Sequence, residues 1–402
     1  MASSNSNISF LCSKTCGARA EAGAAMRAII LLACLTAPGL LRAQSLFQRD
    51  RSFWFYFEND AFGGTSDSSY TNGVRAGWEF AYGSPRLGKV ARWLSFEGVV
   101  DAVRSGSIRP ADRACVPQES RTTTQPCLTI AFGISQTIYT PSNIIDTTLQ
   151  RDDRPFAGLA YASAIVNTLR HPWQYSSELQ VGVIGPWSAA ESAQSLAHWT
   201  WASTSEKPRG WHHQLRNRLQ VGLVNTYHLR LLEWCQPHRR ISGVPACRGT
   251  ASEERRFDLT ARSEAALGTH ITRGSAGFIM RAGKRFPDAI ALTRISTTAP
   301  ARATQDKRPF FWFAGYLTGD IRYVARNAFI TGTPADDEPG RFGFERTITF
   351  KRNVGEASAG AMIGLGSLMV SYQRIRRTKE YEPGGGSHVF GAITFSLFTP
   401  KG

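Results

Sequence analysis

Along residues 51–398 the chain repeatedly sets a bulky apolar side chain at every second position, with small, polar or charged residues between. Val74, Ala76, Trp78, Phe80 and Tyr82 fall on one face, opposite Gly73, Arg75, Gly77, Glu79 and Ala81. Leu128, Ile130, Phe132, Ile134 and Ile138 oppose Thr129, Ala131, Gly133, Ser135 and Thr137. Phe311, Phe313, Leu317, Ile321 and Tyr323 oppose Asp320 and Arg322, and Val389, Ile393, Phe395 and Leu397 oppose Ala392, Thr394 and Ser396. A period of two is the mark of a strand with two different faces. A soluble sandwich shares that period. Here the bulk lies on one face and the small or ionic residues on the other, as when an apolar wall meets lipid and a polar wall lines a lumen.

Twelve such segments start near 51, 70, 128, 155, 173, 212, 254, 275, 308, 343, 366 and 388. Beyond residue 43, no stretch reaches the ~18–20 apolar residues that a membrane helix needs. A membrane-spanning chain without such helices must close its strands into a barrel. The expected fold is therefore all-β, a transmembrane antiparallel barrel of about 12 strands, ending near the aromatic Phe398. Only 19% of residues are charged, against ~25% in a typical soluble domain, which suits a surface that faces lipid. The same reading makes Trp54, Trp78 and Trp312 residues of the interfacial aromatic belt.

Met26-Arg27, the apolar run from Ala28 to Leu41 and the small Ala43 read as a secretory signal, so residues 1–43 are expected to be a leader and 44–402 the barrel domain. Residues 1–25 read as a mis-assigned start. Net charge is +16 for the whole chain and +13 for residues 44–402, which carry 43 basic and 30 acidic residues. With export and a barrel, the acidic partner implied is a phosphate-rich membrane and not nucleic acid. Cys115/Cys127 and Cys235/Cys247 read as two local disulfides of an oxidising compartment. A four-cysteine zinc site is the rival reading.

One helix is predicted inside the loop after the fifth strand, with Ser188 and Glu191 as a capping box. On it Glu191, Gln194, His198 and Trp201 share a face. With the N-terminus in the periplasm, this loop and those at 60–70, 140–154, 326–342 and 380–387 are extracellular. Glu58-Asn59-Asp60, Tyr70-Thr71-Asn72-Gly73, the Gln136–Pro141 run and Asp152–Gly158 then meet at one rim. Taken alone, Asn59-Asp60 reads as a turn, Glu206-Lys207 as a solvated pair, Asp153-Arg154 as a structural ion pair, and His198, His212 and His213 as surface residues.

Together the motifs say more. E-N-D, Y-T-N-G-x-R, Q-x-x-Y-T-P, D-R-P-F-A-G, V-I-G-P and Q-x-x-x-H followed by E-K-P-x-G-W occur in this order over about residues 51–398. In them the chain resembles the lipid A 3'-O-deacylases, outer-membrane barrel enzymes that act as calcium-dependent esterases. The resemblance implies His198 as the base that activates water, with Asn59, Asp60, Thr71 and Gln194 as further site residues. It implies Ca²⁺ as the oxyanion stabiliser, with Asp60 and Glu206 among its ligands. It also implies lipid A of lipopolysaccharide as substrate and an outer-membrane location with the site facing outward; the oligomeric state is left open, with a monomer expected. Relatives carry Lys or Arg just after the Y-[ST]-P turn. This chain has Ser142–Asp146 there, so that contact is either absent or falls to Arg151. An outer-membrane phospholipase and a porin-like barrel are the competing readings.

Overall fold

The alternating segments close on themselves. The computed structural model describes residues 51–62, 69–81, 127–170, 172–200, 207–237, 253–287, 290, 310–384 and 386–399. Its strands are β1 (Arg51–Asn59), β2 (Ser69–Ala81), β3 (Cys127–Thr140), β4 (Ala157–Arg170), β5 (Trp173–Ile184), β6 (Arg218–Pro237), β7 (Glu253–Gly268), β8 (Ile271–Lys284), β9 (Phe311–Asn327), β10 (Thr349–Phe350), β11 (Asn353–Leu365), β12 (Leu368–Arg377), β13 (Tyr381–Glu382) and β14 (His388–Thr399). Twelve of them form one closed antiparallel barrel in which each strand pairs with its sequence neighbours and β1 pairs with β14. The short β10 and β13 pair separately and join two loops above one rim. Among the described residues the helices are α1 (Ala190–Thr200) and the single turns α2 (Ala328–Thr331) and α3 (Phe342–Glu345).

Two strand starts differ from the sequence reading. The segment expected near 212 begins at Arg218, because Gly210–His213 forms a 3-10 turn. The segment expected near 343 begins at Asn353, because the intervening residues build α3 and β10. In both places aromatic residues imitate strand composition while packing loops. The predicted leader, Glu206, Cys115 and Cys247 lie outside the described residues. Cys235, near the end of β6, is disulfide-bonded.

The two faces divide as the pattern demands. Phe53, Phe55, Trp78, Ile134, Leu317 and Ile321 are exposed on the outer wall, while Arg75, Glu79, Glu178, Asp258 and Arg281 are buried in the lumen. Two tryptophans depart from the belt reading. Trp54 lies between the outward Phe53 and Phe55, and Trp312 between the outward Phe311 and Phe313, so strand parity turns both inward. Glycines make the room. A Cβ on Gly77 would lie 2.4 Å from the Trp54 ring, and one on Gly364 1.9 Å from Trp312.

Ion pairs fill the lumen. Arg75 on β2 meets Glu178 on β5 at 2.6 Å, with both side chains fully buried. Arg281 and Asp258 pair at 2.5 Å, Arg262 reaches Asp320 at 2.8 Å and Glu264 at 2.7 Å, and Arg322 and Arg377 share Glu356. A bore crossed by such pairs holds its charges in mutual contact and offers no open file for hydrated ions. Purified protein in a planar bilayer is therefore expected to show no resolvable single-channel current, whereas steady porin-like openings would overturn this reading of the lumen.

Candidate active site

The helix of the β5–β6 connection lies on the outside of the barrel wall. Its approach starts at Gly185, whose φ of 87° only glycine adopts freely, and passes through the 3-10 turn Pro186–Ser188. Ser188 donates its hydroxyl to the Gly185 carbonyl at 2.6 Å. It thus closes the preceding turn and does not cap α1, and Glu191 is exposed, so the predicted capping box is not what starts this helix. Ala189, in the left-handed region at φ 56°, leads into the helix instead.

The wall is shaped to receive it. Gly158 of the D-R-P-F-A-G motif has no room for a Cβ, which would fall 2.1 Å from Ser188 Oγ and 2.3 Å from Ala190 Cβ. Gln136 on β3 donates to the Ser188 carbonyl at 2.7 Å. Ile138, Ile144, Phe156, Ala190 and Trp211 form one buried cluster, with Ala193 packed against it. Ile138 shares the outward parity of Ile134, yet it is only 3% exposed because this cluster covers it.

Gln194 and His198, one turn apart, are both buried, on the same side of α1 as Ala190. The sequence reading paired them correctly and added Glu191, which faces solvent; Trp201 lies outside the described residues. Trp211, the tryptophan of the E-K-P-x-G-W motif, has no role of its own in the sequence pattern. Here its indole Nε1 donates to Gln194 Oε1 at 2.9 Å, its ring meets Phe156 at a centroid distance of 5.1 Å, and it is 2% exposed. The signal was available in the sequence: Gly210 precedes it, and a Cβ there would strike the Phe156 ring at 2.4 Å.

The other predicted residues sit two strands away at the same rim. Asn59 ends β1 and pairs with Asn72 of β2 on one side and Gly391 of β14 on the other. Asp60, fully buried, opens the 3-10 turn Asp60–Phe62. Phe62 covers Gly391, where a Cβ would meet Phe62 Cβ at 2.6 Å. Thr71 is the extra residue of a β-bulge, since Tyr70 pairs with Tyr139 and Asn72 with Ile138. Bulges concentrate at barrel rims and beside active sites because they re-aim side chains. Asn59, Asn72, Ile138 and Gly158 thus form one lateral row, in which β2 separates the Asn59–Asp60 corner from the strands under α1. Two inter-strand spacings, about 10 Å, span β1 to β3.

Asp153 and Arg154 do not pair side chain to side chain. Asp153 accepts from the Ser142 and Arg154 backbone amides at 2.7 Å each and from the Tyr381 hydroxyl. Arg154 bonds Glu380 at 2.9 Å and lies over the Tyr139 and Tyr381 rings. Burial opposes the Arg154 charge, but Glu380 and Tyr381 outweigh it and leave the guanidinium harder to deprotonate than usual. Burial likewise pushes the Glu380 carboxyl up, and Arg377 and Arg154 outweigh that, holding it below its ordinary range. The motif's Asp-Arg pair is structural in a different way from the one expected: it ties the β3–β4 loop to β13. Arg151, the expected substitute cation, is turned toward Glu345 at 3.3 Å. Lys207 and Arg209 are exposed instead, and the Arg209 amide donates to the Ile144 carbonyl at 2.8 Å, which places them beside the Ser142–Asp146 segment. His212 is exposed and the His213 ring lies tilted against it at a centroid distance of 4.1 Å; burial and His212 hold the His213 imidazole below its usual range.

A cavity of about 60 Å³ lies in the lumen between Glu58, Arg273, Arg322, Arg377 and Glu380. None of the predicted site residues lines it, and its arginines are engaged by carboxylates, so the chemistry is better sought on the outer wall.

A closed twelve-strand antiparallel barrel with an ion-paired lumen, an apolar outer wall and a helix packed on that wall has the architecture of an outer-membrane barrel. The chain belongs to the outer membrane protein LpxR family, whose model matches residues 28–399. It is similar in structure to LpxR from Salmonella typhimurium, at 17% identity and a TM-score of 0.61, covering 87% of this chain and 100% of that one. The β domain of the Bordetella autotransporter BrkA matches at 8% identity and a TM-score of 0.39, covering 87% and 100%. No curated relative matches the chain. At 17% identity the Salmonella structure speaks for the barrel fold alone.

Proposed function

We propose that the protein is a lipid A deacylase that hydrolyses the ester-linked 3'-acyloxyacyl chain of lipopolysaccharide, with the helix-bearing rim facing the cell exterior. The observation that carries this reading is the pairing of Gln194 and His198 on the wall-facing side of α1, at the same rim as Asn59, Asp60 and the β2 bulge at Thr71, with β2 between the β1 corner and the strands under α1. An imidazole titrates near neutrality and can take a proton from water. In this reading His198 is that base. Gln194 is held by Trp211 through its carbonyl oxygen, and its Nε2 amide hydrogens are left to orient water or substrate.

The donors expected at the β1–β2 rim suit a hard cation: the Asn59 amide oxygen, the Asp60 carboxylate and backbone carbonyls are all oxygen ligands. Among the described residues no three His, Cys, Asp or Glu side chains cluster, so Asp60 would hold Ca²⁺ with neutral oxygens and with Glu206. When bound, Ca²⁺ supplies Lewis-acid stabilisation of the negative charge that develops on the ester carbonyl. Lys207 and Arg209, exposed beside the Ser142–Asp146 segment, are the cations this reading offers to the substrate's phosphates. The test is purified protein given lipid A or phosphatidylethanolamine, with Ca²⁺ or with chelator. Fatty acid released from lipid A alone, and only with Ca²⁺, is expected; release from phosphatidylethanolamine alone would make the protein a phospholipase.

Trp211→Phe checks the arrangement around Gln194. It keeps a ring against Phe156, loses the volume of the pyrrole ring and removes one hydrogen bond, worth about 1 kcal/mol. Turnover is expected to fall by up to about tenfold with KM little changed, and it is measured at a temperature where the variant is fully folded. An unaltered kcat would detach Gln194 from the chemistry.

A further inference from the structure

The outer side of α1 is not polar throughout. Glu191, Ser192 and Ser195 are exposed in its first half, but Leu196 and Trp199 are 58% and 72% exposed in its second. Trp187, in the turn that leads into the helix, is 42% exposed, and its backbone amide is fixed to Asn217 Oδ1 at 2.7 Å. Three large apolar side chains held toward the surroundings on rigid elements call for an apolar neighbour.

The wall on which the helix rests shows what that neighbour is. Ile134, Ala162, Val181 and Val221 are cross-strand partners in one lateral row on β3, β4, β5 and β6, and all four are exposed on the outer wall. In an outer-membrane barrel such a row faces acyl chains. The next outward position on β3 is Gln136, about 7 Å along the strand, and it holds the Ser188 carbonyl. The position after that is Ile138, which lies beneath the helix. The start of α1 therefore sits at the edge of the lipid-facing belt, and it displaces lipid from Ile138. Lys207 and Arg209, exposed just beyond the helix, have the charge and length to reach phosphate headgroups while their stems lie on apolar surface.

We propose that the Trp187, Leu196 and Trp199 face is immersed in the acyl chains of the leaflet around the helix-bearing rim, so that α1 is an interfacial element of the membrane and not a solvent loop. This rests on the barrel fold and the exposed wall, and it holds whether or not the deacylase reading does.

The test is collision accessibility of a nitroxide on Trp199→Cys in phosphatidylcholine–phosphatidylglycerol vesicles, with the signal of protein lacking the added cysteine subtracted. Ile134→Cys on the wall serves as the lipid reference. Gly386→Cys, in a loop with open space around it, serves as the water reference. The expected result is that the label at 199 collides with oxygen more often than with a water-soluble nickel chelate, in a ratio within about twofold of that at 134. A ratio matching that at 386 would overturn the proposal by placing the face in water. Low collision rates with both reagents would overturn it by showing that protein covers the face. All three positions are exposed, so loss of the fold is not the expected cost of any variant.

Discussion

His198→Ala is expected to lower the rate of lipid A deacylation by about 10²–10⁴-fold, the usual loss when a positioned general base is removed. The barrel should remain intact. Helix α1 is attached through Ala190, Trp211 and the Gln136 contact to Ser188, none of which involves the imidazole. Folded protein is recognised by its unaltered gel mobility without heating, and the rate is read on purified lipid A with Ca²⁺ present. A variant that keeps activity within about threefold of the parent would remove His198 from the chemistry, and the mechanism proposed above would go with it.

The largest effect on stability should come from the centre of the lumen. Arg75 and Glu178 are fully buried, and the guanidinium also lies 5.2 Å from the Trp54 ring and donates to Ser163. Removing one partner of a buried pair strands the other charge, at a cost of about 3–5 kcal/mol. Arg75→Met should therefore destabilise the barrel by about that amount in urea unfolding from detergent. Adding Glu178→Leu to the same chain should recover much of the loss, because replacing both charges by apolar groups is often near neutral. If the double variant is as unstable as the single, the cost lies in packing around Trp54 and not in an uncompensated charge.

The barrel was legible because strand parity is written residue by residue: Trp78 faces out and Arg75 in, as the alternation requires. Composition was a poorer guide than parity. Trp54 and Trp312 were assigned to a lipid belt because they are tryptophans, yet their positions between outward phenylalanines already fixed them inside. Loops that borrow strand-like residues hid the true starts of β6 and β11. For the site, helical spacing was enough to put Gln194 and His198 on one side of α1. It could not assign Ser188 to the turn before the helix, because S-x-x-E reads the same whichever carbonyl or amide the hydroxyl finds. The partners of Arg154 and Arg151 were beyond reach for another reason: Glu380 and Glu345 lie 226 and 194 residues further along the chain, brought near by loop packing that no local pattern encodes. Thr71 is implied by resemblance alone, and the bulge at its position becomes visible only when the registers of β2 and β3 are laid side by side.

The central claim is that this barrel removes an acyl chain from lipid A at its 3' position. Mass spectrometry of lipid A from cells that express the protein, grown with Ca²⁺, addresses it most directly. A species lighter by one 3'-acyloxyacyl group is expected, absent from cells that express His198→Ala at the same level. An unchanged acyl pattern with folded protein in the outer membrane would contradict it.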